Sequence, residues 1–467
     1  MKNRIMALVL AGCIIAAGLV GCGKKEAEAP AKQADNTEEA AQESIEGGKG
    51  TEISGSLEVA VFSNGDLMDQ FWDKVVAEFN SLNPDCEVTL IANPKIEESM
   101  RPRFVSDNPP DVYYMGGNAN MDEQALTGDR KFMKLNDFYE TAEALGYGGL
   151  LKDHMGAEIF NEQNGDIYGM SFAYSVWGYY YNVGMAEEYG WEPPVNWDDF
   201  CELAPKIKEQ GIYPIIHQGK YPDYMGYGLM QAGIAVDNGK ETLVSMGNLD
   251  ADTYRSEEVL KAWQKYETIR ENDWAPPSAL SLTHTEAQME WLQNKAFLIP
   301  CGNWLEGEMA NDIPEGFQMA FRPSFWFDSD NTPVYVGASC RISIAENTKN
   351  PEAAKAFLQV IFSKNITKAV AEYGMGIPCM NDELEGVELP PSNASVLQQV
   401  AKGEVKIINE VGGSGNFEPY AEQRTIINNN IAAVLGGQKT AEQALEDVAK
   451  EVERIAGDES IVKVTIR

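Results

Sequence analysis

Between Leu57 and Met115 the chain alternates strand-like and helix-like patterns in an order that few folds accommodate. Leu57–Phe62 is an apolar run of strand length. Phe71, Trp72, Val75, Val76 and Phe79 then recur at the spacing of one helix face. Asn83-Pro84 ends that helix, because proline disfavours helical backbone in the residue before it. Glu87–Ile91 is a second strand, Met100–Val105 a short helical stretch, Asn108–Asp111 a break, and Val112–Met115 a third strand. This β-α-β-α-β order opens a doubly wound α/β lobe. Right-handed crossovers with strand order 2-1-3 put the loops Ser63–Asp66 and Gly116–Asn120 at a switch point, where open α/β sheets bind ligands. Both loops are rich in Gly, Asn or Asp. Neither carries a phosphate-cradling glycine pattern, so no nucleotide is indicated. Ordinary turns are the alternative reading of each.

Ahead of this body, Lys2 and Arg4 precede an almost wholly apolar run, Ile5–Val20, that ends in Leu19-Val20-Gly21-Cys22. That pattern fits a bacterial lipoprotein signal, with residues 1–21 removed and Cys22 acylated as the new N-terminus. An ordinary secretory signal is the nearest alternative; a transmembrane helix is a further one, but the run is short for a span of about 20 residues. Residues 22–54 are rich in Ala, Glu, Gln, Lys and Gly and hold too little apolar surface to fold, which makes them a flexible linker. The expectation is a chain on the extracytoplasmic face of the bacterial cell membrane, anchored there through lipid on Cys22.

Composition narrows the partners. At 467 residues the chain exceeds one core and calls for at least two lobes. A net charge of −35 argues against nucleic acid and against anionic lipid headgroups. Of the 7 cysteines, Cys86, Cys201, Cys301, Cys340 and Cys379 remain in the body without a C-x-x-C pair, so they read as small buried residues. The 3 histidines, His154, His217 and His284, are far apart. Neither a zinc site nor any other cofactor is expected.

Farther along, Asp166–Ser171 leads into Trp177-Gly-Tyr-Tyr-Tyr-Asn182, an aromatic run in which at most one face can line a cleft. Asn196 reads as a helix N-cap with Asp199 three residues on. The helix runs to Gly211, and Tyr213–Ile216 is a strand. Thr283–Leu292 is a helix and Ala296–Ile299 a strand. Asn303 and Glu306 have capping-box spacing, which puts Trp304 at the first helical position beyond a strand end and gives Glu306 a capping task. Val334–Val336 and Arg341–Ile344 read as strands about a crossing. Asn350-Pro351 starts a helix, Leu445 to Ile455 forms the last one, and Ile461–Ile466 reads as an added strand.

The order of lipobox, linker, βαβ lobe, Asp166-Ile-Tyr-Gly-Met170, Trp177–Asn182, Asn196-Trp-Asp-Asp-Phe200, Gly302-Asn-Trp304 and Lys349–Leu358 resembles the extracellular solute-binding lipoproteins of carbohydrate ABC importers. Gly302–Met309 with Pro314–Phe317 is most similar to the N-acetylglucosamine and diacetylchitobiose branch. The resemblance implies an α/β, two-lobed periplasmic-binding-protein-like fold, with mixed sheets flanked by helices and three crossovers at a hinge. Lobe 1 would comprise 55–172 and 339–375, and lobe 2 173–338 and 376–467. The crossings would fall near Ser171–Tyr174, Gly337–Cys340 and Gly374–Pro378. It also implies a monomer that captures a mono- or oligosaccharide and delivers it to the transmembrane subunits of an ABC permease, without catalysis.

A pyranose offers apolar C–H faces and a hydroxyl rim, which call for flat aromatics and for polar side chains respectively. Trp177 and Trp304 are the candidate stacking platforms, with core packing as the alternative for each. Asn64, Asp66 and Asn118 are candidates for the rim from lobe 1. Tyr335 and Arg341 could add contacts beside the second crossing. Two other functions compete: a surface-anchored glycoside hydrolase using two carboxylates, and a binder of a non-sugar solute such as a peptide. No serine-hydrolase or zinc motif supports the first, and the aromatic, uncharged character of the candidate cleft favours sugar over peptide.

Overall fold

A computed structural model describes residues 53–63, 65–114, 123–155, 160–163, 165–380, 389–408, 418–461 and 463. Its strands are β1 (Ser54–Phe62), β2 (Asp85–Asn93), β3 (Val112–Tyr114), β4 (Phe160–Gln163), β5 (Asp166–Asn182), β6 (Tyr213–Ile215), β7 (Ala296–Gly302), β8 (Met319–Arg322), β9 (Val334–Ile344), β10 (Ile377–Pro378) and β11 (Lys406–Ile408). The backbone path runs β2-β1-β3-β9-β5-β7-β6, with β4, β8 and β10 paired to β5 and β11 to β9.

The opening pattern folds as its periodicity requires. β1 pairs in parallel with β2 and with β3, giving the order 2-1-3. The helix Asp66–Leu82 buries Phe71, Trp72, Val75 and Phe79. Burial of each such side chain is worth about 1.5–3 kcal/mol. The Trp72 indole donates to the Phe62 carbonyl at 3.2 Å, which pins the helix to the end of β1. The next helix begins earlier than its apolar spacing indicates, spanning Ile96–Val105. Asn196 caps the helix Trp197–Glu209 by accepting from the Asp199 amide at 2.9 Å. The Asp199 carboxylate accepts instead from Val195 N, one residue farther back than a capping box requires. Thr283 and Glu286 form a complete capping box for the helix His284–Leu292.

One expectation about the strands is corrected. The runs 334–336 and 341–344 are not separate strands; β9 passes through Gly337 without a break. Likewise β5 is continuous over 17 residues, with one register shift between Ser171 and Ala173. Both stay extended because each supplies the other's hydrogen-bonding edge from Met170 to Trp177. Beyond Trp177 the next two tyrosines of the aromatic run pack inside, while Tyr181 keeps some exposed surface. Tyr179 packs against Phe325 and Tyr180 against Phe321, both with no exposed surface, so both strand faces are inside. The proposed terminal strand beyond Ile461 lies, apart from Lys463, outside the described residues.

Side chains gather into two large cores. One holds residues from Leu57 to Ala173 and from Ile342 to Met380. The other holds residues from Val176 to Val336 and from Ile377 to Ile455. A small cluster around Ala60, Met100 and Phe132 covers the opposite face of β1. Tyr174 packs against both large cores. At this level three segments lie side by side: Cys340 of β9 and Pro378 of β10 both pair with Ala173 of β5.

Gly178 shows how closely β8 approaches β5. A Cβ there would lie 2.3 Å from the Arg322 carbonyl oxygen and 2.9 Å from the Phe321 ring. We expect Gly178→Ala to cost about 1–3 kcal/mol, the usual range for overpacking. Urea denaturation should show this loss, while Gly457→Ala, which meets nothing within 4 Å, should leave the midpoint nearly unchanged.

Candidate functional site

The register of β5 against β7 sets Trp177 opposite Gly302, two residues before Trp304. A Cβ on Gly302 would fall 1.8 Å from the Trp304 ring, so only glycine lets that indole fold back over its own strand. The two indoles meet edge to face, with centroids 4.6 Å apart at 86°. Tyr224 and Tyr227 flank Trp177 at 5.1 and 5.8 Å. His284 lies parallel to Tyr224 at 6.4 Å, and Tyr221 abuts His284 at 5.5 Å. Trp177, Tyr224 and Tyr227 are buried, whereas Trp304, Tyr221 and His284 keep part of their ring surface open. The cluster therefore has a fixed backing and an accessible aromatic front. The Trp177 indole N–H has no hydrogen-bond partner among the described residues.

Two carboxylates approach these rings. Asp223 keeps some exposed surface, yet the protein around it pushes its carboxyl up to about 6, against the pull of backbone N–H groups. Glu418 is buried; both its oxygens accept from Gln231 Nε2, at 2.7 and 2.8 Å. Burial pushes this group up to about 7, opposed by the Gln231 hydrogen bond. Burial also raises the Tyr227 hydroxyl well above its ordinary value, and the nearby Glu418 and Asp223 carboxylates add to the rise. Beside Trp304, Gln288 Nε2 donates to Glu308 at 2.9 Å. Among the described residues no group of three His, Cys, Asp or Glu side chains could hold a metal.

The expected cap at Asn303 does not form. Its side-chain oxygen accepts from Val176 N at 2.9 Å, and Trp304 occupies the N-cap position of the short helix Leu305–Glu308. Glu306 instead accepts from the Ser392 amide and hydroxyl, at 3.2 and 2.8 Å, in the first turn of a helix distant in sequence, Pro391–Ala401. Burial raises its carboxyl, and these two bonds oppose the rise.

Of the candidates from sequence, the structure brings Trp177 and Trp304 together. It does not bring Asp66, Tyr335 or Arg341 into their cluster. Asp66 is exposed at the start of its helix. Tyr335 is fully buried, stacked on Phe321 at 5.5 Å with its hydroxyl toward Gln399. It is a core residue because the strand alternation of β9 turns it under β8. Arg341 is buried beside the junction, where its guanidinium donates to the Ser339 hydroxyl. Asn64, Asn118 and Cys22 lie outside the described residues. Sequence reasoning missed Tyr221, Asp223, Tyr224 and Tyr227. Their signal was present as Tyr-Pro-Asp-Tyr-Met-Gly-Tyr-Gly, 221–228, just beyond a strand. Glu418 had no local signal, since only the fold brings it to Gln231.

Two α/β cores joined at one level by three strand segments, with a partly open aromatic cluster beside the joint, define a two-lobed solute-binding protein. The chain belongs to the bacterial extracellular solute-binding protein family, whose model matches residues 74–396. The diacetylchitobiose binding protein NgcE of Streptomyces coelicolor is 24% identical over 333 residues, which cover 69% of each chain. A solved chitin oligosaccharide binding protein superposes with a TM-score of 0.70 at 18% identity, covering 86% of this chain and 98% of that one. RafE in complex with raffinose gives 0.64 at 17% identity, covering 86% and 99%. The sequence resemblance is thus borne out at the level of the family, and the two-lobed α/β expectation at the level of the fold.

Trp177→Ala should cost about 3–5 kcal/mol in chemical unfolding, as for a large buried aromatic. Trp304→Ala should cost much less, because part of its ring is already in water; equal losses would make Trp304 a core residue. A second expectation concerns pH. Asp223 and Glu418 are raised above their ordinary values of 3.8 and 4.5. Their linked stability is complete below those ordinary values and is lost as pH rises through about 6 and about 7. His217, held neutral by burial down to about 4, acts oppositely and only below its ordinary 6.5. The melting temperature should therefore be higher at pH 6 than at pH 8, and Glu418→Gln should shrink that difference.

Proposed function

We propose that this chain is the carbohydrate-capturing component of an ABC importer, taking an N-acetylglucosamine-containing oligosaccharide such as diacetylchitobiose between its lobes. The observation that carries the reading is the Trp177–Trp304 pair, whose partly exposed member, Trp304, stands beside the three strand segments that join the cores. An apolar sugar face stacks on such a ring. Asp223 and the amides and hydroxyls around it supply partners for a hydroxyl rim. The binding activity of NgcE, as its name states it, supports this sugar class.

The lobes of this reading are 55–172 with 339–375, and 173–338 with 376–467. The division of the two large cores near Ala173–Val176 supports those limits. Sugar binding draws the lobes together, a shift toward a closed state that the ligand stabilises. The closed monomer then docks on the transmembrane subunits of the permease. Lipid on Cys22 holds it to the outer face of the membrane through the 22–54 linker, as the Leu19–Cys22 pattern supports. The chain acts by binding alone.

Thermal melting of the purified chain with N-acetylglucosamine, diacetylchitobiose, chitotriose, raffinose and a mixed peptide pool tests the reading. A sugar at 100 times its dissociation constant stabilises by about 2.7 kcal/mol. We expect diacetylchitobiose or chitotriose to raise the melting temperature and to be recovered intact. A shift with peptides alone would refute the sugar assignment, and cleaved sugar would replace capture with hydrolysis.

A further inference from the structure

Asn303 is almost fully buried and ties together the residues that directly precede the two tryptophans. Its backbone N–H donates to the Val176 carbonyl at 3.1 Å, and its side-chain oxygen accepts from Val176 N at 2.9 Å. Val176 precedes Trp177, and Asn303 precedes Trp304. One residue therefore sets where both indoles sit. Its side-chain N–H donates onward to Asn393 Oδ1, and Asn393 Nδ2 donates to the Gly376 carbonyl at 3.2 Å. Both amides are buried, at 3% and 1% exposure, so neither bond can be exchanged for one to water.

Gly376 is a special receiver. Its φ is +127°, a conformation that side chains rarely adopt, and a Cβ would fall 2.6 Å from the Tyr174 carbonyl. It directly precedes β10, which pairs with β5 at Ala173 and Tyr174, where the two cores meet. Ser392, next to Asn393, donates to the Asn303 carbonyl at 3.1 Å and to Glu306, fixing the same loop a second time. A continuous chain of buried hydrogen bonds thus runs from the backbone beneath the aromatic pair to the third segment of the joint.

Building on the sugar-capture reading, we propose that Asn303 and Asn393 form a positioning relay that makes closure of the lobes depend on occupancy of the Trp177–Trp304 pair. Neither touches the sugar. A ligand pressing on Trp304 shifts the loop that Asn303 anchors. Asn393 passes that shift to Gly376, whose backbone absorbs rotation at the joint. A hinge works through a few positions that take up large dihedral changes, and the relay ties one of them to the site.

The test uses the full chain, diacetylchitobiose and chitotriose as probes, and three readouts: tryptophan fluorescence for contact with the indoles, titration calorimetry for affinity, and solution X-ray scattering for closure. Asn303→Asp keeps the acceptor for Val176 N and removes the donor to Asn393. Asn393→Leu keeps the volume and removes both of its bonds, and the milder Asn393→Ser serves where that variant fails to melt cooperatively. We expect the fluorescence response to survive in these variants. Affinity should fall about tenfold, and at saturation the radius of gyration should contract by less than half as much as in the unsubstituted chain. Contraction and affinity equal to the unsubstituted chain, in a variant that melts cooperatively, overturn the relay. If the unsubstituted chain responds to neither saccharide, the sugar reading itself fails and the relay falls with it.

Discussion

A β-ladder can bridge two cores only if its hydrogen bonds remain satisfied where side-chain packing changes hands. In this chain β5 meets that condition by pairing with β9 from Met170 to Trp177 and, on its other edge, with β10 at Ala173 and Tyr174. Buried backbone groups must find partners, so the three segments cannot separate cheaply at that level. They can flex where the ladder is irregular, between Ser171 and Ala173, and where Gly374 and Gly376 hold positive φ. The placement of everything else follows. β7 and β8 attach to β5 beyond the joint, β4 before it.

The aromatic site is a consequence of this arrangement. Pairing of Trp177 with Gly302 brings the first residues past β7 to the joint, and the absence of a side chain at Gly302 leaves room for Trp304 to fold back. The buried Tyr224 and Tyr227 support Trp177 from behind. Stacking energy gained at such a site is modest per ring, so a rigid backing matters: it removes the entropy cost of ordering the platform on binding. The raised carboxyls of the buried Glu418 and the partly exposed Asp223 cost stability at neutral pH.

Much of the first lobe was legible because its signals are local. The apolar spacing of Phe71 to Phe79 and the break at Asn83-Pro84 define one helix without reference to the rest of the chain, and the 2-1-3 order follows from handedness. The joint was legible as three short stretches but not as continuous strands, since nothing in Gly337-Ala338-Ser339 declares that β5 will lie alongside. Trp177 was singled out by a dense aromatic run and Trp304 by its place just past a strand end, while their contact depends on the pairing of β5 with β7. Tyr335 was misplaced because adjacency to a crossing says nothing about which face a side chain takes. Asn303 was misread as a cap because its spacing to Glu306 is local, while its actual partner, Val176, is 127 positions away. Glu418 depends wholly on tertiary contact with Gln231.

The most direct test of the account is a crystal structure of the chain grown with diacetylchitobiose. The expected result is one pyranose face lying against the Trp304 indole, Asp223 within hydrogen-bond reach of the sugar, and the two cores closer together than in crystals without sugar. A saccharide held elsewhere on the molecule, with Trp304 bare and the cores unmoved, would contradict it.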